Sequence, residues 1–223
     1  MTPAIWAREH KSEIVNRFFK RTNYTGSVPP IGIFMAGVPG AGKTEFTKQL
    51  MRELIESPLR IDMDEIAETI EGYQPAVAHA FREAATIILD RIYDKALRLK
   101  KDFIFDGTFG HSKALENIRR ARKKSYTVKV YVIYQDPVIA WSFTKDREVI
   151  ELRKISKEGF INSYFNIITN IKELQNDKQD VIISLILKDS SNLAGVTYEN
   201  VEDIFDYLPD IRTREYLESA IIV

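Results

Sequence analysis

Ile31-Gly32-Ile33-Phe34-Met35-Ala36, followed by Gly37-Val38-Pro39-Gly40-Ala41-Gly42-Lys43-Thr44, is the stretch on which the reading of this chain turns. Its first six residues form a nearly continuous apolar run entered from Pro29-Pro30 and left at Gly37, as expected of a strand buried on both faces of a parallel sheet. The remainder has the spacing glycine, four variable residues, glycine, lysine, and serine or threonine. It stands between a strand and a helix, the context that gives this pattern its meaning. Its glycines free the backbone so that successive amides converge on phosphate oxygens at a helix N-terminus, whose dipole favours anions. The expected nucleotide contacts are Gly37, Val38, Pro39, Gly40, Ala41, Gly42, Lys43, Thr44 and Glu45. Lys43 would bridge the terminal phosphates of a nucleoside triphosphate and Thr44 would bind Mg²⁺. The bland alternative is a glycine-rich turn whose lysine faces solvent.

Outward from this loop, Phe46/Leu50/Leu54 and Met51/Ile55 recur at spacings of four, predicting a helix over Lys43 to Glu56 closed by Ser57-Pro58. Leu59 to Met63 reads as a second strand, Pro75 to Lys101 as a long helix, and Phe103-Ile104-Phe105 as a third strand ending at Asp106-Gly107. Ser112 to Lys124 continues as helix, Thr127 to Tyr134 as strand and Val181 to Leu187 as a final strand, with helical stretches between them and near the C-terminus. This alternation predicts an α/β fold: a parallel sheet of about five strands wound right-handedly, with helices on both faces. Pro3 to Lys20 pairs Ile14/Phe18 and Val15/Phe19 on one apolar face and precedes a polar linker over Arg21 to Pro30. The expected organisation is an N-terminal helix and linker over residues 1–28 and one nucleotide-binding domain over residues 29–223. The apolar face of the first helix either packs on that domain or receives a partner's helix.

Composition narrows the functions open to this chain. Its 223 residues carry 32 Lys plus Arg against 32 Asp plus Glu, so no global positive field draws it to nucleic acid or anionic lipid. With no Cys and 3 scattered His, disulfides, thiol catalysis and cysteine-based metal sites are excluded. The first ten residues reach charge before any long apolar run, and no window resembles a membrane span, so a cytoplasmic protein is expected.

A phosphate loop by itself does not separate kinase, motor, switch and ATPase. The other strand ends must do so. The second strand brings Asp62 and Asp64 to the carboxyl edge of the sheet, where open α/β sheets bind ligands. Asp64 is the candidate base for a substrate hydroxyl and Asp62 a candidate Mg²⁺ holder, although either could simply cap the helix that follows. If the strand continued they would share a face, whereas a turn beginning at Met63 would separate them. The third strand delivers Asp106-Gly107-Thr108, read as an acceptor for substrate hydroxyls, a Mg²⁺-holding acid or a turn former. Arg147 and Arg153 follow the fourth strand; positioned arginines suit the spread charge of a phosphoryl-transfer transition state and can contribute on the order of 10³ in rate. An arginine on a charged helix is otherwise a solvated ion-pair partner. His111 reads as a helix-start residue and the run Arg119 to Lys124 as cations favoured at a helix C-terminus.

Ile33 through Thr44, Ile61-Asp62-Met63-Asp64, Phe105-Asp106-Gly107-Thr108, Arg147 and Arg153-Lys154-Ile155-Ser156-Lys157 together resemble the zeta toxin family of bacterial toxin–antitoxin kinases, over residues 29 to 175. The resemblance implies ATP-dependent phosphorylation of a sugar hydroxyl of UDP-N-acetylglucosamine and silencing by a small helical antitoxin. It implies Lys43 and Thr44 as phosphate and Mg²⁺ ligands, Asp64 as base, and Arg147 and Arg153 as transition-state arginines. The family's Glu-Gly-Thr stands here as Asp106-Gly107-Thr108, one methylene shorter, and its helical substrate-contacting acid corresponds to Asp90. Asp64, Asp90, Asp106 and Thr108 are therefore the expected acceptor contacts. The segment joining the two arginines is shorter than in well-known members. Two other functions compete: a kinase for a nucleoside, antibiotic or nucleic-acid end, and a nucleotide-dependent switch or scaffold. The second would leave Asp64 and Arg153 without a catalytic task.

Overall fold

The computed structural model describes residues 1–20, 26–54, 58–177, 180–191 and 193–222. Predicted features at residues 21–25 of the linker, and at Ile55, Glu56 and Ser57, lie outside the described residues. Along the chain run α1 (Pro3–Lys20), β1 (Ile31–Ala36), α2 (Lys43–Glu53), β2 (Leu59–Asp62), α3 (Met63–Ala67), α4 (Ala78–Arg98), β3 (Phe103–Asp106) and α5 (Lys113–Lys123). Then come β4 (Thr127–Tyr134), α6 (Pro137–Glu151), α7 (Lys157–Asn176), β5 (Val181–Lys188), β6 (Ala194–Tyr198) and α8 (Arg214–Ala220).

The strands form one sheet in the order β2-β3-β1-β4-β5-β6, parallel through β5, with β6 antiparallel at the edge. The α/β fold with a mostly parallel sheet is as read from the sequence, with one strand more than the five expected. β6 is only five residues long with a glycine inside it, and Val196 within it is about half exposed. An edge strand that buries little leaves little hydrophobic signal.

Helices cover both faces of the sheet. Register partners on adjacent strands share a face, so Tyr131, paired with Met35, points opposite to Phe34. On the Phe34 side stands Tyr93 of α4, its ring 6.4 Å from that of Phe34, with Phe103 at 5.5 Å and Phe105 at 5.7 Å. On the Tyr131 side stands Phe46 of α2, at 5.3 Å. A cluster of this kind adds about 0.5–1.5 kcal/mol per ring pair beyond simple burial. Helix α1 lies along α4 and buries Ala7, Ile14, Val15 and Phe18, so its apolar face is spent on the body of the molecule.

Element ends differ from expectation where local chemistry intervenes. The second strand stops at Asp62 because Asp62 caps α3, accepting from the amides of Asp64 at 2.7 Å and Glu65 at 3.3 Å. Leu54 is extended, so α2 ends at Glu53. The long helix starts at Ala78 after a 3₁₀ turn over Pro75–Val77. Among the described residues no helix is long and apolar enough to cross a membrane.

Candidate active site

The register that pairs Asp62 with Asp106 places the tips of β2 and β3 side by side, and the phosphate loop leaves β1 immediately next to β3. The Gly37 amide donates to the Thr108 carbonyl at 3.1 Å, tying loop and β3 tip together. Gly40 has φ +76°, and a Cβ there would stand 2.0 Å from the Ala140 carbonyl oxygen, so only glycine lets the loop lie this close to α6. Gly42, at φ +84°, turns the chain into α2, whose first turn receives no side-chain cap. The opening amides of α2 therefore have no partner in the helix, which suits them to phosphate oxygens.

Lys43 Nζ donates to the Val38 carbonyl at 2.8 Å. Burial pushes this ammonium down to about 8; Asp106, Glu45 and Asp62 oppose the fall, and Arg147 adds to it. Lys43 thus feels charges from both the β3 tip and α6. Thr44 lies in the first turn of α2, partly exposed. Among the described residues no group of three or more His, Asp or Glu could hold a metal by itself. A Mg²⁺ ion at this loop would rest on the Thr44 hydroxyl, phosphate oxygens and water, an arrangement suited to that ion.

The other predicted residues fall into two groups. In the first, Arg147 donates through Nε and Nη2 to Glu151 Oε1 at 3.0 and 2.8 Å. Arg153 Nη2 donates to Glu151 Oε2 at 2.7 Å, and its Nη1 stands 2.6 Å from Asp64 Oδ2. A chain of alternating charge, Arg147–Glu151–Arg153–Asp64, therefore runs from beside Lys43 to the start of α3. Burial works against the Arg153 charge, but Asp64 and Glu151 outweigh it and hold the guanidinium above its ordinary pKa. Burial would raise Glu151, and its bonds from Arg147 and Arg153 bring it below the ordinary carboxylate value. Tyr73 joins here, its phenol facing Arg153 and Asp64 and raised chiefly by burial.

The second group is organised by Arg60. Its guanidinium donates to Asp106 Oδ2 from Nε at 3.0 Å and Nη2 at 2.7 Å, and it also binds Asp62. Asp62 is thus both a helix cap and an arginine partner, and a Mg²⁺ ion on its carboxylate would have to displace Arg60. Asp106 is buried with the same arginine. Thr108 Oγ1 accepts from the Gly110 amide at 3.2 Å, and Asn170 of α7 holds the following turn through Phe109 O at 2.7 Å. Asp90 stands apart from both groups, paired with Lys113 at the start of α5 at 3.2 Å. His111 accepts from the Lys113 amide at 3.1 Å, a helix-start role. Arg119 pairs with Glu173 of α7 and with Asp177 just past its end, and Arg120 with Asp94.

The family model for zeta toxins matches residues 15–201. The chain belongs to the zeta toxin family. No curated protein sequence matches this zeta toxin family member. Among solved structures it resembles one from the PezAT chromosomal toxin–antitoxin system of the human pathogen Streptococcus pneumoniae, with TM-score 0.73, 15% identity, and coverage of 94% of this chain and 91% of that one. It also resembles the AvrRxo1-ORF1:-ORF2 complex in native form, at TM-score 0.58 and 12% identity, covering 86% and 66% of the two chains. The same complex with ATP gives TM-score 0.53 and 12% identity, covering 88% and 63%. Such distant likenesses establish the fold that this family member shares.

Sequence reading missed Arg60, Tyr73, Glu151 and Asn170. Arg60 left one trace: it alternates with Asp62 on β2 and so shares its face, beside the Asp106 with which Asp62 is in register. Glu151 left another, standing four residues after Arg147 on a helix. Tyr73 and Asn170 meet their partners only through tertiary packing.

Proposed function

We propose that this chain is an ATP-dependent, Mg²⁺-requiring kinase of a small-molecule hydroxyl that acts in the cytoplasm as the toxin of a toxin–antitoxin pair, with a UDP-N-acetylamino sugar as acceptor. Family membership and the phosphate loop support the phosphoryl-transfer class. ATP as donor is supported by the AvrRxo1-ORF1:-ORF2 neighbour with ATP, and a protein antitoxin by the PezAT system. The acceptor is inferred from the family resemblance. The observation that carries the reading is the unbroken charge chain from Arg147, whose charge reaches Lys43, to Asp64.

In this reading the loop amides and Lys43 hold the β- and γ-phosphates, and Thr44 holds Mg²⁺, which supplies charge neutralisation when bound. Asp64, exposed and held by Arg153, accepts a hydrogen bond from the acceptor hydroxyl and orients it in line with the γ-phosphorus. As the acceptor oxygen–phosphorus bond forms, the bond to the bridging oxygen breaks, ADP leaves, and the hydroxyl proton passes to Asp64. Arg147 and Arg153 balance charge on the equatorial oxygens. Asp106, Thr108 and Asp90 are proposed acceptor contacts, the first within reach of Arg60 and the last on α4.

Incubation of the protein with ATP, Mg²⁺ and a metabolite extract should give one metabolite a phosphate in mass spectra, with Lys43→Ala inactive. UDP-N-acetylglucosamine is the expected compound. Gain by a different compound would replace the acceptor and keep the kinase. Asp64→Asn should abolish transfer with ATP affinity retained, and unchanged turnover would remove Asp64 as base.

A further inference from the structure

We propose that Glu151 is a positioning residue, whose carboxylate holds Arg147 and Arg153 in the orientation that grips the transferring phosphoryl group. The inference rests on the kinase reading above and names the part of this site that organises its arginines.

Ala140 and Thr144, on one face of α6, abut the loop at Gly40, and Arg147 and Glu151 continue that face at helical spacing. The face therefore places Arg147 on the side of α6 that abuts the loop. The helix then ends at Leu152, whose left-handed φ of +57° folds the chain back and brings Arg153 to the same carboxylate. One Glu151 oxygen takes each arginine: Oε1 receives Arg147 through its Nε–Nη2 edge, and Oε2 receives Arg153 Nη2.

Two guanidinium groups converging on one site repel each other and, on long side chains, sample many rotamers. A shared carboxylate cancels the repulsion and fixes both. It also takes only one edge of each group, leaving the Nη1 side of Arg147 outside the bond and the Nη1 side of Arg153 at Asp64. With five residues between the arginines, the chain has no room for a separate supporting element, and the helix end does that work itself.

The test uses the full chain and needs no acceptor. Calorimetry compares Mg²⁺–ADP with Mg²⁺–ADP plus aluminium fluoride, a planar mimic of the transferring group, and the ratio of affinities measures transition-state grip. Glu151→Gln, which keeps shape and removes charge, should lower that ratio by about 10- to 100-fold while ADP affinity changes by less than about twofold. Glu151→Asp should fall between wild type and Glu151→Gln, and it carries the test if Glu151→Gln melts early. An unchanged ratio in Glu151→Gln overturns the proposal. So does a raised one, which would make Glu151 a competitor of the phosphoryl group. Arg147→Ala and Arg153→Ala separate the two readings. If they lose the tightening and Glu151→Gln keeps it, only the positioning role falls. If the wild type shows no tightening, or neither alanine variant weakens it, the kinase reading falls as well.

Discussion

Burial lowers the Lys43 ammonium to a pKa of about 8 beside a loop built for anions, so its protonation and nucleotide binding are linked. A triphosphate favours the charged form. Binding therefore takes up a proton once Lys43 is neutral in the free protein, which happens above pH 8. ATP affinity should hold below that point and fall above it, approaching about tenfold per pH unit. The terminal phosphate, with a pKa of about 6, is already ionised there. Titration of a fluorescent ATP analogue from pH 7 upward checks this, and a flat profile would show that Lys43 does not contact the phosphates. The stability consequence has the opposite sense. The folded pKa lies below the ordinary 10.5, so the unfolded chain binds more protons between those values. The cost to folding is full below about pH 8 and disappears as pH rises past 10.5. Lys43→Met should accordingly raise the unlinked stability at pH 7 by on the order of 1 kcal/mol, after discount for partial exposure, while ATP-induced stabilisation disappears. Thermal melts with and without ATP read both effects.

At the scale of elements, the site depends on where strands begin as much as where they end. Asp102, just before β3, is buried and accepts from the Ile31 amide at 2.7 Å and the Ser27 hydroxyl at 2.6 Å, while its carbonyl accepts from Leu59 at 2.9 Å. One residue thus aligns the entries to β1 and β2 and, through the strands' fixed rise, the heights of Gly37, Asp62 and Asp106. Asp102→Ala should cost about 2–3 kcal/mol in denaturant unfolding, because the Ile31 and Ser27 groups lose their buried acceptor. A loss under about 0.5 kcal/mol, the scale of an ordinary surface change, would refute this alignment role. The strands and long helices were legible because their apolar periods are strong: β1, β4 and α1 occupy the ranges that the pattern predicts. The Asp62 cap was one of two open readings, since an aspartate after a strand supports either a ligand or a helix start. Which one applies depends on whether the chain turns at Met63, and that is settled by packing of Ile66 and Ala67 into the core.

For the whole molecule, α1 adds its buried side chains to the same core that supports the sheet, and Lys95 of α4 bonds Asn16 and covers the Phe19 ring. A protein of residues 26–223 should therefore melt several degrees lower and bind an apolar dye. Each large side chain removed from the α1–α4 seam forfeits about 1.5–3 kcal/mol of burial. Calorimetry and dye fluorescence check it, and an unchanged melt would mean that α1 is dispensable to the fold. The sequence by itself determined the architecture, the phosphate loop and the acidic strand tips, because hydrophobic period and glycine spacing are local properties of a chain. Only the tertiary structure decided that Arg60 meets Asp106 and that Arg153 meets Asp64 and Tyr73. Those pairings arise by distance and desolvation, which depend on residues far apart in sequence being brought to one sheet edge.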